Sequence, residues 1–272
     1  MATIFMQLIH AFQPLNMPLS GYYVQLDMLY NYMIAKWVYG YALPLHVLNH
    51  LGVRKDSLLV LFGSGLGRTA LLAAKRFGCY VVGVEIMPML VQYAKRKTEV
   101  ENMIDKLTLV CIDEEDYLRE IKPDFVFYES ILSFLPNPSK VLAKYLTSVK
   151  RIGILELSWV SHNISKNKKE ALKYVFGEKA SFMHIDEWLK LFHNMHLEVL
   201  KSGIRSIGLL TKFWDDLRVE PLGTLTGIVK TIYKTLTDST ARKYTVIFKN
   251  FLRQYSSDMA CVYYILRPIT PD

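Results

Sequence analysis

The segment that decides the fold is DSLLVLFGSGLGRTALLAAKRFGCYVVGVEIMP, residues 56–88. An apolar run ends at Phe62, and glycines follow at positions 63, 65 and 67. A helix-like run then leads to a second apolar run that closes on Glu85. A tight glycine turn lets a ligand approach the main chain, and the N-terminus of the next helix offers N–H groups to an anionic group. An acid after the second strand can accept hydrogen bonds from both ribose hydroxyls. The unit therefore predicts a ligand that contains a nucleoside.

Three kinds of nucleoside site compete for this loop. A phosphate-binding P-loop has the pattern GxxxxGK[ST], which would place its first glycine at Phe62 and its lysine at Arg68, so the sequence excludes it. Residues 65–70, GLGRTA, fit the GxGxx[GA] pattern of nicotinamide and flavin dinucleotide sites. Residues 63–67, GSGLG, fit the GxGxG loop that S-adenosylmethionine sites favour. The loop alone leaves the last two open.

Short apolar runs alternate with helix-like runs from 56 to 160. The runs SLLVLF, YVVGVE, KLTLVCID, DFVFYES and IGILELSWV are apolar on both faces, as parallel strands covered by helices must be. Strands that alternate with helices predict an α/β fold with a doubly wound sheet. The chain ends in another strand-like run, DMACVYYILRP.

Several segments beyond the glycine loop also resemble one family. VLFGSGLGRTALLAAKRFGCYVVGVEIMPMLVQYAKRK resembles the first two motifs of class I S-adenosylmethionine-dependent methyltransferases, and KLTLVCIDEEDYL resembles the segment whose acid contacts the adenine. KPDFVFYESILSFLPNPSKVLAKYLTSVKRIGILELSW resembles the fourth and fifth strands, and HIDEWLKLFHNMHLEVLKSG the late helix and sixth strand. The likeness covers about 55–205. A dinucleotide enzyme is not expected to match these later segments.

The resemblance implies a Rossmann-like sheet of seven strands with an antiparallel last strand, and a division of the chain into four regions. Residues 1–55, which are rich in aromatic side chains, are expected to form an N-terminal helical cap. Residues 56–205 would form the cofactor-binding core. Residues 206–257 would be a basic helical insertion, a lid or substrate region, and residues 258–272 would supply the last strand.

The resemblance also implies a set of cofactor-binding residues. The loop residues would face the methionine part, Glu85 the ribose, Ile86 and the acids after the third strand the adenine, and Glu129 the methyl group. The full set is Gly63, Ser64, Gly65, Gly67, Glu85, Ile86, Asp113, Glu114 and Glu129. One position departs from the family. Leu61 stands where the family usually carries an acid that helps to hold the methionine amino group. Either Glu129 or a backbone carbonyl replaces that acid, or the affinity for the cofactor is reduced.

Methyl transfer from a sulfonium needs the acceptor to be positioned for in-line displacement, and an acceptor that carries a proton can also need a general base. The candidates are Glu129, Tyr22 and His162. YESI replaces the [DN]PP[FY] motif of adenine and glutamine N-methylation, and the Pro-Cys pair of 5-methylcytosine formation is absent. His46 and His50 stand four residues apart, but Val47 replaces the acid of a zincin helix, and His193 and His196 lack partners with metal-ligand spacing, so we expect no metal.

The charge distribution bears on the methyl acceptor. The chain has a formal net charge of +8. Residues 201–254 hold ten basic residues and four acids, which accounts for +6 of that charge. An insertion before the last strand, together with an N-terminal cap, suggests an enclosed pocket that suits a small molecule, anionic or lipid-like. A basic face also fits RNA.

The sequence therefore predicts an S-adenosylmethionine-dependent methyltransferase that acts on a small molecule. We expect it to be cytoplasmic, because the sequence shows neither a signal peptide nor a transmembrane span. Two alternatives stay open. One is an RNA methyltransferase that uses the basic insertion. The other, motivated by Leu61, is a non-catalytic protein that binds S-adenosylmethionine.

Overall fold

The computed structural model describes residues 39–111 and 121–269. These residues form two compact units. The sheet unit comprises residues 43–111, 121–160, 181–205 and 260–269, and the helical unit comprises residues 39–42, 161–180 and 206–259.

Seven strands form one sheet in the order β3-β2-β1-β4-β5-β7-β6. The strands are β1 Leu58–Phe62, β2 Tyr80–Glu85, β3 Leu107–Cys111, β4 Phe125–Glu129, β5 Arg151–Trp159, β6 Leu197–Ser206 and β7 Met259–Pro268. Strands β1 to β5 pair in parallel, and the last strand is antiparallel. The structure thereby confirms the predicted doubly wound sheet. Strands β2 and β3 lie on one side of β1, and β4 and β5 lie on its other side. The strand order therefore switches between β1 and β4, and parallel sheets of this type bind their ligands at such a switch point.

Nine α-helices lie in the described part of the chain: α1 Ala42–Leu51, α2 Arg68–Phe77, α3 Pro88–Val100, α4 Pro138–Ala143, α5 Lys166–Phe176, α6 Ile185–Asn194, α7 Leu209–Val219, α8 Pro221–Thr237 and α9 Ser239–Tyr255. Local sequence explains several of their ends. Helix α2 ends at Gly78, which adopts the left-handed conformation and donates its N–H to Ala74 O. Pro88 opens α3, where its missing N–H costs nothing.

The core of the sheet unit is built from the apolar faces of the central strands. All five residues of β4 are buried, and the rings of Phe62 in β1 and Tyr128 in β4 stack with their centroids 5.0 Å apart. Trp188 in α6 is fully buried and donates its indole N–H to Ser158 Oγ at 3.0 Å. That hydrogen bond lets a large aromatic side chain lie in the core without an unsatisfied donor.

The helical unit has an aromatic core of its own. Phe251 in α9 contacts Phe176 in α5 and Tyr255 in its own helix, with ring centroids 5.2 and 5.4 Å apart. Asp216 in α7 is buried, and its carboxylate accepts hydrogen bonds from the backbone N–H groups of residues 41 and 42 and from Lys212 Nζ. No described helix of the chain combines the length and the apolarity that crossing a bilayer requires.

The turn after β1 lies directly against the end of β4. Gly63 has a φ of +71°, and a Cβ atom at this position would lie 2.7 Å from the carbonyl oxygen of Glu129 and 3.4 Å from Ile131 Cβ. Because β1 and β4 are hydrogen-bonded neighbours, the turn cannot move away from this carbonyl without breaking their pairing. Only glycine fits here, because of this contact with the protein, whatever contact Gly63 also makes with a ligand.

We expect Gly63→Ala to destabilise the protein by about 3 kcal/mol, because it adds left-handed strain to a clash with a fixed backbone oxygen. Gly227→Ala is the control. A Cβ at Gly227 in α8 meets nothing within 4 Å, and alanine there is expected to leave stability unchanged or to raise it by up to about 1 kcal/mol. Chemical denaturation followed by circular dichroism measures both. Equal stability of the two variants would contradict the packing role of Gly63.

Candidate functional site

The glycine loop is held by the strand beside it. The backbone N–H groups of Gly63 and Ser64 both donate to Val84 O in β2, at 3.1 and 3.0 Å. Gly65 and Gly67 have φ values of +55° and +71°, so the chain turns twice before α2 begins. A Cβ at Gly67 would lie 2.8 Å from Ala94 Cβ in α3, which makes this glycine a packing position as well.

Glu85 ties the glycine loop to the turn after β2. Its Oε2 accepts the N–H of Gly65 at 2.9 Å, and its Oε1 accepts the N–H groups of Ile86 and Met87 at 2.9 and 3.1 Å. The carboxylate is 4% exposed. The sequence predicted a ribose contact for Glu85 but not these three backbone hydrogen bonds. The ribose contact stays a prediction.

Ile86 presents an apolar surface next to this buried acid. Its side chain is 48% exposed, although it directly follows a buried strand. Cys111 ends β3 beside Glu85, and its thiol donates to Ile86 O at 3.6 Å. Burial, and after it the Glu85 carboxylate, raises the pKa of the Cys111 thiol, which keeps it protonated as a donor at neutral pH. An apolar side chain beside an acid is the arrangement that a nucleoside needs.

Glu129 lies at the end of β4 and is 2% exposed. Its Oε1 accepts a hydrogen bond of 3.1 Å from Thr69 Oγ1, in the first turn of α2. This contact brings the predicted acid of β4 to the helix that starts from the glycine loop. Leu61, where the family usually has an acid, is fully buried in β1, so it contributes only packing.

Sequence reasoning missed a third buried acid, Glu156 in β5. Its Oε1 accepts the N–H groups of Ile131 and Leu132 at 2.8 and 2.7 Å, and its Oε2 accepts Ser133 Oγ at 2.8 Å. These residues form the loop after β4, which begins at Ser130 with a φ of +58°. Burial raises the pKa of Glu156 to about 7 against the opposing effect of its hydrogen bonds. A lone acid inside the apolar run ILELSW was the signal.

The remaining predicted residues divide into two groups. Tyr22, Asp113 and Glu114 lie outside the described residues. His162 is exposed, on the connection between β5 and α5. Their predicted roles remain predictions.

The residues of the site fit S-adenosylmethionine. Ser64 Oγ is buried and has no hydrogen-bond partner among the described residues. Gly67, the N-cap of α2, supplies no side-chain cap, and the first turn of the helix carries no acid, so its N–H groups suit an anionic group such as a carboxylate. With Glu85 and Ile86, the site offers polar groups for a ribose and an amino acid and an apolar surface for a base.

The raised pKa of Glu156 predicts a pH-dependent stability. The ordinary pKa of a glutamate is 4.5, and that of Glu156 in the folded protein is about 7. Between pH 4.5 and pH 7, the folded protein therefore keeps a proton on Glu156 that the unfolded chain loses. The contribution of Glu156 to stability is therefore fully present below pH 4.5 and is lost as the pH rises to 7. Glutamine resembles the protonated acid and does not titrate. The stability of the wild type relative to Glu156→Gln should fall over this window, by at most about 1.4 kcal/mol per pH unit, and level off above it.

Urea denaturation at several pH values, followed by tryptophan fluorescence, measures this difference. Glu99→Gln is the matched control, because Glu99 lies on the exposed face of α3 and burial cannot act on it. A difference between wild type and Glu156→Gln that stays constant from pH 5 to 8 would show that Glu156 is not protonated in the folded state.

Comparison with known proteins identifies the domain to which this site belongs. Residues 60–157 match the sequence model of a family described as a methyltransferase domain. The ribosomal protein L11 methyltransferase of Colwellia psychrerythraea strain 34H is 26% identical over 141 residues, which cover 50% of this chain and 44% of that protein. The chain thus spans less than half the length of this curated relative.

Solved structures with little sequence identity share the fold. Phosphoethanolamine N-methyltransferase 2 of Haemonchus contortus, solved in complex with S-adenosyl-L-methionine, is 16% identical with a TM-score of 0.67; the match covers 88% of this chain and 57% of that chain. Geranyl diphosphate C-methyltransferase of Streptomyces coelicolor A3(2), solved with S-adenosyl-L-homocysteine, is 14% identical with a TM-score of 0.60; the match covers 83% and 78%. Residues 60–157, which hold the glycine loop and the buried acid after β2, thus match a methyltransferase domain, and the seven-stranded sheet with its antiparallel last strand is the fold of these solved methyltransferases.

Proposed function

We propose that this protein transfers a methyl group from S-adenosylmethionine to a small-molecule acceptor that is anionic or lipid-like. The observation that carries the proposal is the joined arrangement of the glycine loop, Glu85 and the exposed Ile86 at one edge of the sheet. S-adenosylmethionine supplies a methyl group on a sulfonium sulfur that is already activated for displacement. The protein's own contribution is then to bind, orient and shield the reacting groups.

The nucleoside half of the cofactor would be held by the ends of β2 and β3. Glu85 is oriented before any ligand arrives, because three backbone N–H groups fix its carboxylate. The ribose hydroxyls would donate to this carboxylate, and the adenine would pack on Ile86. Asp113 and Glu114 are proposed to complete the adenine site.

The methionine half would lie over the glycine loop and the N-terminus of α2. Its carboxylate fits the uncapped N–H groups of that helix. Its ammonium group needs an acid, and Leu61 cannot supply one. Glu129 is the buried acid that Thr69 connects to α2, so we assign the ammonium contact to Glu129.

The acceptor is inferred from charge. Residues 201–254 carry a charge of +6, which favours an anionic acceptor. Two of the structural neighbours are named as methyltransferases of phosphoethanolamine and of geranyl diphosphate, which are small molecules with anionic phosphate groups. The match to the ribosomal protein enzyme covers only 50% of this chain, so it supports the cofactor domain rather than a protein acceptor. For an acceptor that carries a proton, Glu129, Tyr22 and His162 remain the proposed bases.

RNA is the second candidate for the acceptor, and the same basic segment motivates it. Binding to RNA that is driven by phosphate contacts weakens steeply with salt. A small anionic acceptor held at one or two charges depends on salt far less. The two candidates therefore differ in a measurable way.

Calorimetric titration tests the cofactor site. We expect the wild type to bind S-adenosylmethionine and S-adenosylhomocysteine but not NAD. Ile86→Ala should weaken the binding of both ligands by about fivefold, because it removes apolar surface beneath the adenine. Glu129→Gln should weaken the binding of S-adenosylhomocysteine by about tenfold, since it removes the charge that faces the ammonium group. It should leave 5′-methylthioadenosine unchanged, because that molecule lacks the amino acid.

Ile104→Ala is the matched control for Ile86→Ala, because Ile104 is also an exposed isoleucine of the sheet unit and lies on the turn after α3. It should bind all ligands like the wild type. Tighter binding of NAD, or equal effects of Ile86→Ala and Ile104→Ala, would refute the assigned adenine site. Equal loss of S-adenosylhomocysteine and 5′-methylthioadenosine in Glu129→Gln would refute the ammonium contact.

The release of S-adenosylhomocysteine in the presence of paired acceptors tests the reaction. Each pair consists of a phosphorylated molecule and its neutral parent alcohol, for example phosphoethanolamine and ethanolamine or geranyl diphosphate and geraniol, and a structured RNA is assayed beside them. We expect an anionic member to be methylated at least tenfold faster than its neutral parent. Methylation of RNA alone would support the second candidate. Cofactor binding without release for any acceptor would favour a non-catalytic protein.

A further inference from the structure

The helical hairpin of α8 and α9 has an unusual distribution of apolar side chains. Six large apolar residues of α8 are between 48% and 76% exposed: Leu222, Leu225, Val229, Ile232, Tyr233 and Leu236. Their spacing of three and four residues places them on one face of the helix. Single apolar residues scattered over a surface are normal, but a continuous apolar stripe exposed along four helical turns needs an explanation.

The opposite face of α8 carries mainly polar or small residues, with the partly buried Ile228 as its one large apolar side chain among the described ones. Thr224 is buried, and Gly223, Gly227, Thr231 and Thr235 are partly buried. The hydroxyls of Thr231 and Thr235 donate to the carbonyls four residues before them, Gly227 O and Thr231 O. A water-soluble helix normally buries its apolar face and exposes its polar face. Apart from Ile228, helix α8 does the reverse, which leaves its apolar stripe open to contact with another surface.

The neighbouring helix exposes positive charge. Arg242, Lys249 and Arg253 are exposed on one face of α9, at spacings of seven and four residues, and Lys243 is exposed beside them. Arg242 donates to the carbonyls of Thr235 and Leu236, so a guanidinium group lies next to the last residue of the apolar stripe. Residues 221–257 contain six basic residues and a single acid, Asp238, which gives this hairpin a charge of +5.

The apolar stripe of α8 and the positive charge of α9 together decide which of two partners binds this surface. A second copy of the chain would bring two hairpins of +5 together, and their like charges would oppose the contact. An anionic bilayer attracts the charge, and its acyl boundary accepts the apolar side chains. We propose that the exposed faces of α8 and α9 form a docking surface for an anionic lipid bilayer. This inference does not rest on methyl transfer, because docking needs neither cofactor nor acceptor.

Sedimentation of the full chain with vesicles tests the proposal. We expect binding to vesicles that contain phosphatidylcholine and phosphatidylglycerol, weaker binding as salt rises, and little binding to phosphatidylcholine alone. The triple variant Leu225→Gln, Val229→Gln, Ile232→Gln should lose at least tenfold in affinity. The triple variant Lys243→Gln, Lys249→Gln, Arg253→Gln should lose on the order of 10²-fold at low salt.

Two control variants change the same side-chain types elsewhere on the surface. Val100→Gln, Ile104→Gln, Leu189→Gln replaces three exposed apolar residues, and Lys55→Gln, Lys179→Gln, Lys190→Gln replaces three exposed lysines. Both should bind vesicles like the wild type, and circular dichroism should show all four variants folded. Absence of binding to phosphatidylglycerol vesicles at low salt would overturn the proposal, as would equal losses in hairpin and control variants. Sedimentation velocity that shows a dimer, dispersed by the apolar hairpin variant, would assign the stripe to a second copy instead.

Discussion

Three buried glutamates hold the candidate site together. Glu85 ends β2, Glu129 ends β4, and Glu156 lies in β5 beside the loop that follows β4; each is at most 4% exposed. A carboxylate at such burial is costly unless donors surround it. Each of the three accepts hydrogen bonds from a turn or a helix start: the glycine loop and the turn after β2, the first turn of α2, and the loop after β4. For Glu85 and Glu156 the dependence is mutual: the turns are fixed by the acids, and the acids are tolerated because the turns supply donors.

This mutual dependence has consequences for a ligand. An acid whose orientation is set by backbone N–H groups meets its ligand without reorganisation, which lowers the entropic cost of binding. Glu85 is the clearest case, because its three donors come from two separate segments, the glycine loop and the turn after β2. The same arrangement means that removing Glu85 would disturb the loops as well as the ligand contact. An exposed neighbour such as Ile86 therefore reports on binding more cleanly than the acid does.

The sequence was sufficient for the sheet, because parallel strands that are buried on both faces appear as apolar runs between helices. What it could not give was the direction in which individual residues face. That Gly63 makes room for a ligand stays a prediction; its close approach to Glu129 O could not be predicted, because β1 pairs with a strand more than sixty residues away. Glu156 was visible as an acid in an apolar run, and a buried strand can carry such an acid only if nearby donors satisfy it. The heptad-like spacing in α8 would by itself predict a buried face, and only tertiary structure shows that this face is exposed.

The two helices of the hairpin divide their tasks, and this explains how an outward apolar stripe can persist. Helix α9 is anchored by its aromatic face, where Phe248, Phe251 and Tyr255 are buried and Phe251 meets Phe176 of α5. Helix α8 has no comparable anchor; it follows α7 after a single residue and is joined to α9 through Arg242 and through the hydroxyls of Thr235 and Thr245. If α8 turned its apolar stripe inward, the core of the helical unit would have to accommodate six more large side chains. Because α9 already supplies that core, the apolar residues of α8 add little to the stability of the fold, and their regular spacing points to selection for a contact outside it.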